Sequence, residues 1–277
     1  MKDNRKTRPP SNRGNTASVS LFLVRDAGLN VRNRPKSHAR VGRVERYSPE
    51  QRAKLGNALL QLGLAHHTGT AAVDWQITRS ANGRPIVQKH LTTECDMQLS
   101  LSHSGEYLVA GICNAAIIGI DIERHCKRRF SDIARHLDWP QALWDPPGSL
   151  DAEGFYHAWT LWEAAIKSGS AESRPPVESV FKLLITGHDV GTPGAILKQN
   201  WFAYSWRCAN HFWLSIITAH RKTPDIRLFL VNGLKSAGQS LQISEIASAL
   251  GHLDPQIFQR EQSIKKPMNI DNTRWPY

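Results

Sequence analysis

The stretch MQLSLSHSGEYLVAGICNAAIIGIDIE, residues 97–123, limits what this chain can fold into more than any other. It is dense in apolar and β-branched residues and is interrupted by turn formers, at Ser104-Gly105 and near Asn114. The pattern predicts strand, turn, strand, turn, strand, with the last strand ending in Asp121-Ile122-Glu123.

The flanking segments do not continue as a regular strand–helix alternation. SVSLFLV, residues 18–24, reads as a first strand. SPEQRAKLGNALLQLGLA opens on a Ser-Pro-Glu helix start and carries Leu55, Leu59 and Leu62 at helical spacing. WQITRSANGRPIV predicts two short strands around an Asn82-Gly83 turn. A helical stretch is expected around 130–137, and SLDAEGFYHAWTLWEAAIKSGS predicts a helix closed near Gly169. SVFKLLIT, WFAYSWRC and FWLSIITA read as further strands. Strands and helices in this order favour an α+β fold over a doubly wound sheet. The 277 residues suffice for one large domain or two halves of ordinary size, and at 40 % hydrophobic residues the chain can fill a sizeable core.

Charge is unevenly placed. Of the net +11, residues 1–46 hold twelve Lys/Arg against Asp3, Asp26 and Glu45, or 12 − 3 = +9. Residues 1–18 are polar, basic and proline-containing, and are expected to be a disordered tail because they bury too little apolar surface to offset ordering entropy. Such a tail suits an anionic partner, or serves only as a solvated end. No apolar run approaches a membrane span and no apolar signal core opens the chain, so a cytoplasmic protein without membrane attachment is expected. Cys95, Cys113, Cys126 and Cys208 are widely spaced, fit no zinc pattern and read as free thiols.

Two acidic and basic pairs stand out. Asp121 and Glu123 are two apart on a strand, so both side chains leave the same face. Adjacent carboxylates repel unless a cation joins them, and hard oxygen ligands suit Mg²⁺, which is typically shared with substrate phosphates. A solvated strand end with unrelated acids is the plainer alternative. Glu163 and Lys167 lie at i and i+4 along one helix face. A surface ion pair would explain them, but Trp159, Trp162, Ala164, Ala165 and Ile166 leave little polar face around them. A third carboxylate for a metal and a cation for phosphate would account for both. His103, between two serines at a strand end, can donate to a phosphate oxygen, or can simply be a turn histidine. A Ser-His-acid hydrolase is disfavoured because no G-x-S-x-G elbow is present.

Three blocks in order carry a resemblance: NGRPIV (82–87), LSLSHSGEYLVAGICNAAIIGIDIE (99–123) and FYHAWTLWEAAIK (155–167). Together, over roughly residues 20–220, the chain resembles the Sfp-type 4′-phosphopantetheinyl transferases. The spacing agrees as well, with His103 18 residues before Asp121 and Glu123 40 before Glu163. The resemblance implies two similar α+β halves related by a pseudo-twofold axis, 19–120 and 121–220, with coenzyme A between them. It implies Mg²⁺ held by Asp121, Glu123 and Glu163, and phosphates met by His103 and Lys167. Arg84 would lie near the adenine, and Arg43, Arg46 or Arg52 near the 3′-phosphate. Glu163 would take the proton of the acceptor, a serine on an acyl or peptidyl carrier protein, and the enzyme would be a monomer.

Three positions depart from the family pattern. Trp162 replaces the lysine of W-x-x-K-E, Ala171 stands where a second glycine is usual, and Asn57 where many members carry arginine. Residues 221–277 lie beyond the family domain. ISEIASALGHLDPQIFQRE, 243–261, is expected to be a helical hairpin, with a distant likeness to a helix-turn-helix, and KKPMNIDNTRWPY a loose tail. A nucleic-acid-binding protein using the two ends of the chain is therefore the competing reading, and a Mg²⁺-dependent nuclease a weaker one.

Overall fold

The computed structural model describes residues 18–25, 47–89, 97–114, 117–143, 150–169, 181, 195–198, 201–208, 212–219, 224–232 and 242–248. The mixed α+β class expected from the sequence is found. Strands β1 (Ser18–Arg25), β4 (Met97–Ser104), β5 (Tyr107–Asn114), β10 (Asp225–Asn232) and β11 (Gln242–Ser248) form a five-stranded sheet in the order β11-β10-β1-β5-β4. Strands β6 (Ile117–Arg124), β7 (Ala195–Lys198), β8 (Trp201–Cys208) and β9 (Phe212–Ala219) form a four-stranded antiparallel sheet in the order β6-β9-β8-β7. Strands β2 (Trp75–Arg79) and β3 (Pro85–Lys89) form a separate two-stranded sheet, packed through Trp75, Ile77 and Val87 on the cluster of α1 and the first sheet. Helices α1 (Pro49–Thr68), α2 (Phe130–His136) and α3 (Ala152–Ser168) complete the described elements.

Strand alternation explains the layering, because successive side chains point to opposite faces. On β1, Val19, Leu21 and Leu23 meet Ile118, Ile120 and Ile122 of β6 and Leu214 and Ile216 of β9 in one buried cluster. The two sheets therefore pack face to face. The other face of the first sheet, through Phe22, Leu108, Ala110 and Ile112, receives Leu59 and Leu62 of α1. The other face of the second sheet, through Ile217 and Ala203, receives Leu161, Ala164 and Ala165 of α3. Positions 119, 121 and 123, alternating with the inter-sheet isoleucines, thereby face α3.

Local signals placed most ends correctly. Ser48 caps α1, accepting from the Gln51 N–H at 3.1 Å, while the Ser48 N–H donates to Gln51 Oε1 at 2.7 Å. Asp151 caps α3, its Oδ1 accepting from the Gly154 N–H at 2.7 Å. The Gly83 and Gly105 turns have φ of 81° and 59°, a region that L side chains rarely enter. The expected strands at 201–208 and 212–219 are present as β8 and β9. SVFKLLIT lies outside the described residues except for Phe181.

The C-terminal region departs from expectation. Residues 243–248, read as the start of a helical hairpin, are strand β11, antiparallel to β10. Strand β10 in turn pairs parallel with β1, Phe22 opposite Phe229, so part of the supposed extension lies within the first sheet. The Phe22 and Phe229 rings stack with centroids 5.0 Å apart. Ladder pairing with β10 sets the conformation of this segment over any local helical preference. The expected division at 120/121 falls inside β6. Residues 1–17 and 249–277 lie outside the described residues. Among the described residues, no helix is long and apolar enough to cross a membrane.

Candidate functional site

The seam between the two sheets is built from serines. Strand β4 is an edge of the first sheet and β6 an edge of the second, so β6 presents backbone N–H groups with no ladder partner on that side. Ser100, Ser102 and Ser104 share one face of β4, and their hydroxyls accept from the N–H groups of Ile120, Ile122 and Arg124 at 3.0, 3.3 and 2.9 Å. Each hydroxyl stands in for the carbonyl a neighbouring strand would supply.

The same row reaches the acidic pair. Ser102 Oγ donates to Asp121 Oδ1 at 2.7 Å, and Ser104 Oγ donates to Glu123 Oε2 at 2.8 Å. Lys167 Nζ, from α3, lies 2.5 Å from Asp121 Oδ1 and 3.2 Å from Ser102 Oγ. Asp121 is 3 % exposed, and its second oxygen, Oδ2, is buried without a hydrogen-bond partner. Desolvation pushes the Asp121 carboxyl up to about 7, against the pull of Lys167.

Lys167 reaches Asp121 because α3 sits unusually close to β6. A Cβ on Gly119 would lie 2.0 Å from the Ala164 carbonyl oxygen and 2.4 Å from the Ser168 nitrogen, so only glycine permits this approach. Along α3 the contacts run in order. Ala164 and Ser168 cover Gly119, Thr160 Oγ1 meets Ser215 Oγ at 2.7 Å beside Asp121, and His157 stacks on Trp213 beside Glu123. The helix therefore runs opposite to β6. Glu163, half-buried, lies one turn before Lys167 on the same helix face, toward the Glu123 end.

His103 is the penultimate residue of β4. Loss of solvent lowers its pKa, and Arg52 of α1 and Lys167 push it down further while Glu123 opposes them. Four separated segments thus meet electrostatically: His103 feels Arg52, Lys167 and Glu123, and Asp121 feels Lys167 and Glu123. Arg84 is not with them. Its Nη2 lies 3.4 Å from Gln98 Oε1 and 3.5 Å from the Ile118 carbonyl, at the opposite end of the seam. The five residues from Gln98 to His103 put it ~17 Å away along β4. Arg43 and Arg46 lie outside the described residues.

A divalent cation is implied by the resemblance, and the chemistry of the carboxylates tests the fit. Asp121 Oδ2, buried and unpartnered, shares a strand face with Glu123. One or two carboxylates completed by phosphate oxygens and water are a normal Mg²⁺ set, so these two fit. Among the described residues, no group of three or more His, Cys, Asp or Glu side chains is arranged to hold a metal ion, so Glu163 is not gathered with the pair.

Trp162 belongs to an aromatic cluster and not to the polar site. Its ring centroid lies 5.5 Å from Trp159 and 6.1 Å from Trp139, packed with Phe130, Phe155 and Tyr156. Sequence reasoning read Ser102 and Ser104 only as phosphate donors beside His103, missed their bonds to β6 and the carboxylates, and passed over Gly119. The alternating serines of LSLSHS were a visible signal; the close approach at Gly119 had none beyond the glycine itself. Comparison with protein-family models and with curated proteins finds no match.

Proposed function

We propose that the chain is a Sfp-type 4′-phosphopantetheinyl transferase, moving 4′-phosphopantetheine from coenzyme A to a serine of an acyl or peptidyl carrier protein. One observation carries this reading: Lys167 sits on Asp121, and His103 lies in the field of Arg52, Lys167 and Glu123, at one end of the β4–β6 seam. Two cations, Lys167 and Arg52, and a neutral imidazole donor near two carboxylates suit a pyrophosphate better than they suit a neutral substrate. The reading takes the two packed sheets with α1 and α3 as two similar halves about a pseudo-twofold axis.

In this mechanism, Mg²⁺, when bound, neutralises pyrophosphate charge. Asp121 and Glu123 would hold it. Lys167 and His103 donate to phosphate oxygens, His103 through the single N–H of a neutral ring, since its pKa is lowered. Glu163 accepts the proton of the carrier serine. That oxygen forms a bond to the β-phosphorus, the pyrophosphate bridge breaks, and adenosine 3′,5′-bisphosphate leaves with the bridging oxygen. Arg84, at the far end of the seam, would meet the adenine end of a long substrate.

The test is incubation of the full chain with coenzyme A, Mg²⁺ and a panel of acyl and peptidyl carrier proteins, read by intact mass. A phosphopantetheine adduct on the carrier serine is expected, lost on chelation and in Asp121→Asn. Unmodified carriers throughout the panel, with protein that is folded by circular dichroism, would sink the reading.

A further inference from the structure

All three seam serines bond to the backbone of β6, and two of them, Ser102 and Ser104, also bond to an acid. The Oγ of Ser100, Ser102 and Ser104 each accepts a backbone N–H of β6. A hydroxyl has one proton, and accepting a fixed N–H orients the direction in which that proton is given. Ser102 gives it to Asp121 Oδ1 and Ser104 to Glu123 Oε2. Ser100 faces Gly119 and Gly111 by register and meets no carboxylate among the described contacts. Ser102 is fully used: it accepts from Ile122 and Lys167 and donates to Asp121. Its bond and the Lys167 bond both fall on Oδ1, which leaves Oδ2 as the buried oxygen without a partner.

From this we infer that Ser102 and Ser104 are positioning residues. They fix the rotamers of Asp121 and Glu123 so that Asp121 Oδ2 and the neighbouring Glu123 carboxylate are set for a divalent cation before it arrives. The inference rests on the proposed function for the identity of the ligand, but the positioning itself is a property of the chain. Groups that orient metal-binding carboxylates typically change metal affinity 10–100-fold when removed. Ser100 is the internal control, since it stitches the same seam and orients no acid.

Ser104 is the residue to change, because Ser102→Ala would also strip a bond from the buried Lys167–Asp121 pair. Ser104→Ala, Ser104→Thr and Ser100→Ala are compared in the full chain. Titration with Mn²⁺ alone, by calorimetry, is expected to show affinity about tenfold weaker in Ser104→Ala. Ser104→Thr, which keeps the hydroxyl, should fall within about threefold of wild type, and Ser100→Ala should match wild type while sharing the lowered melting temperature. Crystal structures of the variants grown without metal supply a second readout. The Glu123 carboxylate should leave its place in Ser104→Ala and keep it in Ser104→Thr and Ser100→Ala. Glu123 unmoved in Ser104→Ala, or Mn²⁺ affinity equal in Ser104→Ala and Ser100→Ala, would overturn the inference. Absence of Mn²⁺ binding in wild type, with Glu123 displaced in Ser104→Ala, would leave the positioning upheld and count against the functional reading instead.

Discussion

Gly119→Ala is the most demanding perturbation of this architecture. The added Cβ would stand 2.0 Å from the Ala164 carbonyl oxygen and 2.4 Å from the Ser168 nitrogen. These two atoms close a helical i to i+4 hydrogen bond, so no rotamer change can clear them. Restoring ordinary contact at 3.4 Å requires α3 to withdraw by about 3.4 − 2.0 = 1.4 Å. If that displacement fell along the Lys167–Asp121 pair, 2.5 Å would become about 3.9 Å, outside hydrogen-bond range. Overpacking costs about 1–3 kcal/mol, and uncoupling a buried carboxylate from its cation about 3 kcal/mol. The two overlap, so a loss of about 3–5 kcal/mol is expected. Gly111→Ala is the comparison. Its Cβ would meet Ile120 Cδ1 at 1.9 Å, the free end of a side chain that can rotate away. A loss of about 1–2 kcal/mol is expected there. Urea unfolding followed by tryptophan fluorescence measures both. A Gly119→Ala protein no less stable than Gly111→Ala would refute the claim that helix backbone, and not side-chain packing, sets the approach of α3.

Two further outcomes are expected. Trp162→Lys, which restores the family's W-x-x-K-E pattern, removes an indole packed on Trp159 and Trp139 and should cost about 2 kcal/mol in urea unfolding; stability equal to wild type would show that the aromatic cluster does not depend on it. His157, stacked on Trp213 with centroids 4.4 Å apart, has its pKa pushed down to about 4 by burial, so between pH 6.5 and 4 the unfolded chain takes a proton that the folded one refuses and stability falls with pH. Asp121, raised to about 7, works the opposite way over the same range, so the sensitive measurement is a difference: His157→Gln should lose about 2 kcal/mol less than wild type between pH 6.5 and pH 4.5, and parallel profiles would contradict the assignment.

The sequence by itself determined the elements whose signals are local. Ser48-Pro49-Glu50 marks the start of α1, Asn82-Gly83 and Ser104-Gly105 mark turns, and the apolar runs of β4, β5 and β6 carry their own periodicity. The pairing of Asp121 with Glu123 on one strand face was equally legible, because a period of two needs no partner to be read. The union of Lys167 with Asp121, and the approach of Arg52 and Lys167 to His103, were suggested only by resemblance. Their proximity is decided by how α1 and α3 dock on opposite outer faces of the packed sheets. The position of β10 beside β1 was not legible at all, since Ser18 pairs with Asp225 in parallel and no turn signal links strands so far apart in the chain. Nor was the work of the seam serines. LSLSHS states an alternation, but the bonds of Ser102 and Ser104 exist only because an edge of one sheet meets an edge of the other, leaving β6 N–H groups that some acceptor must satisfy.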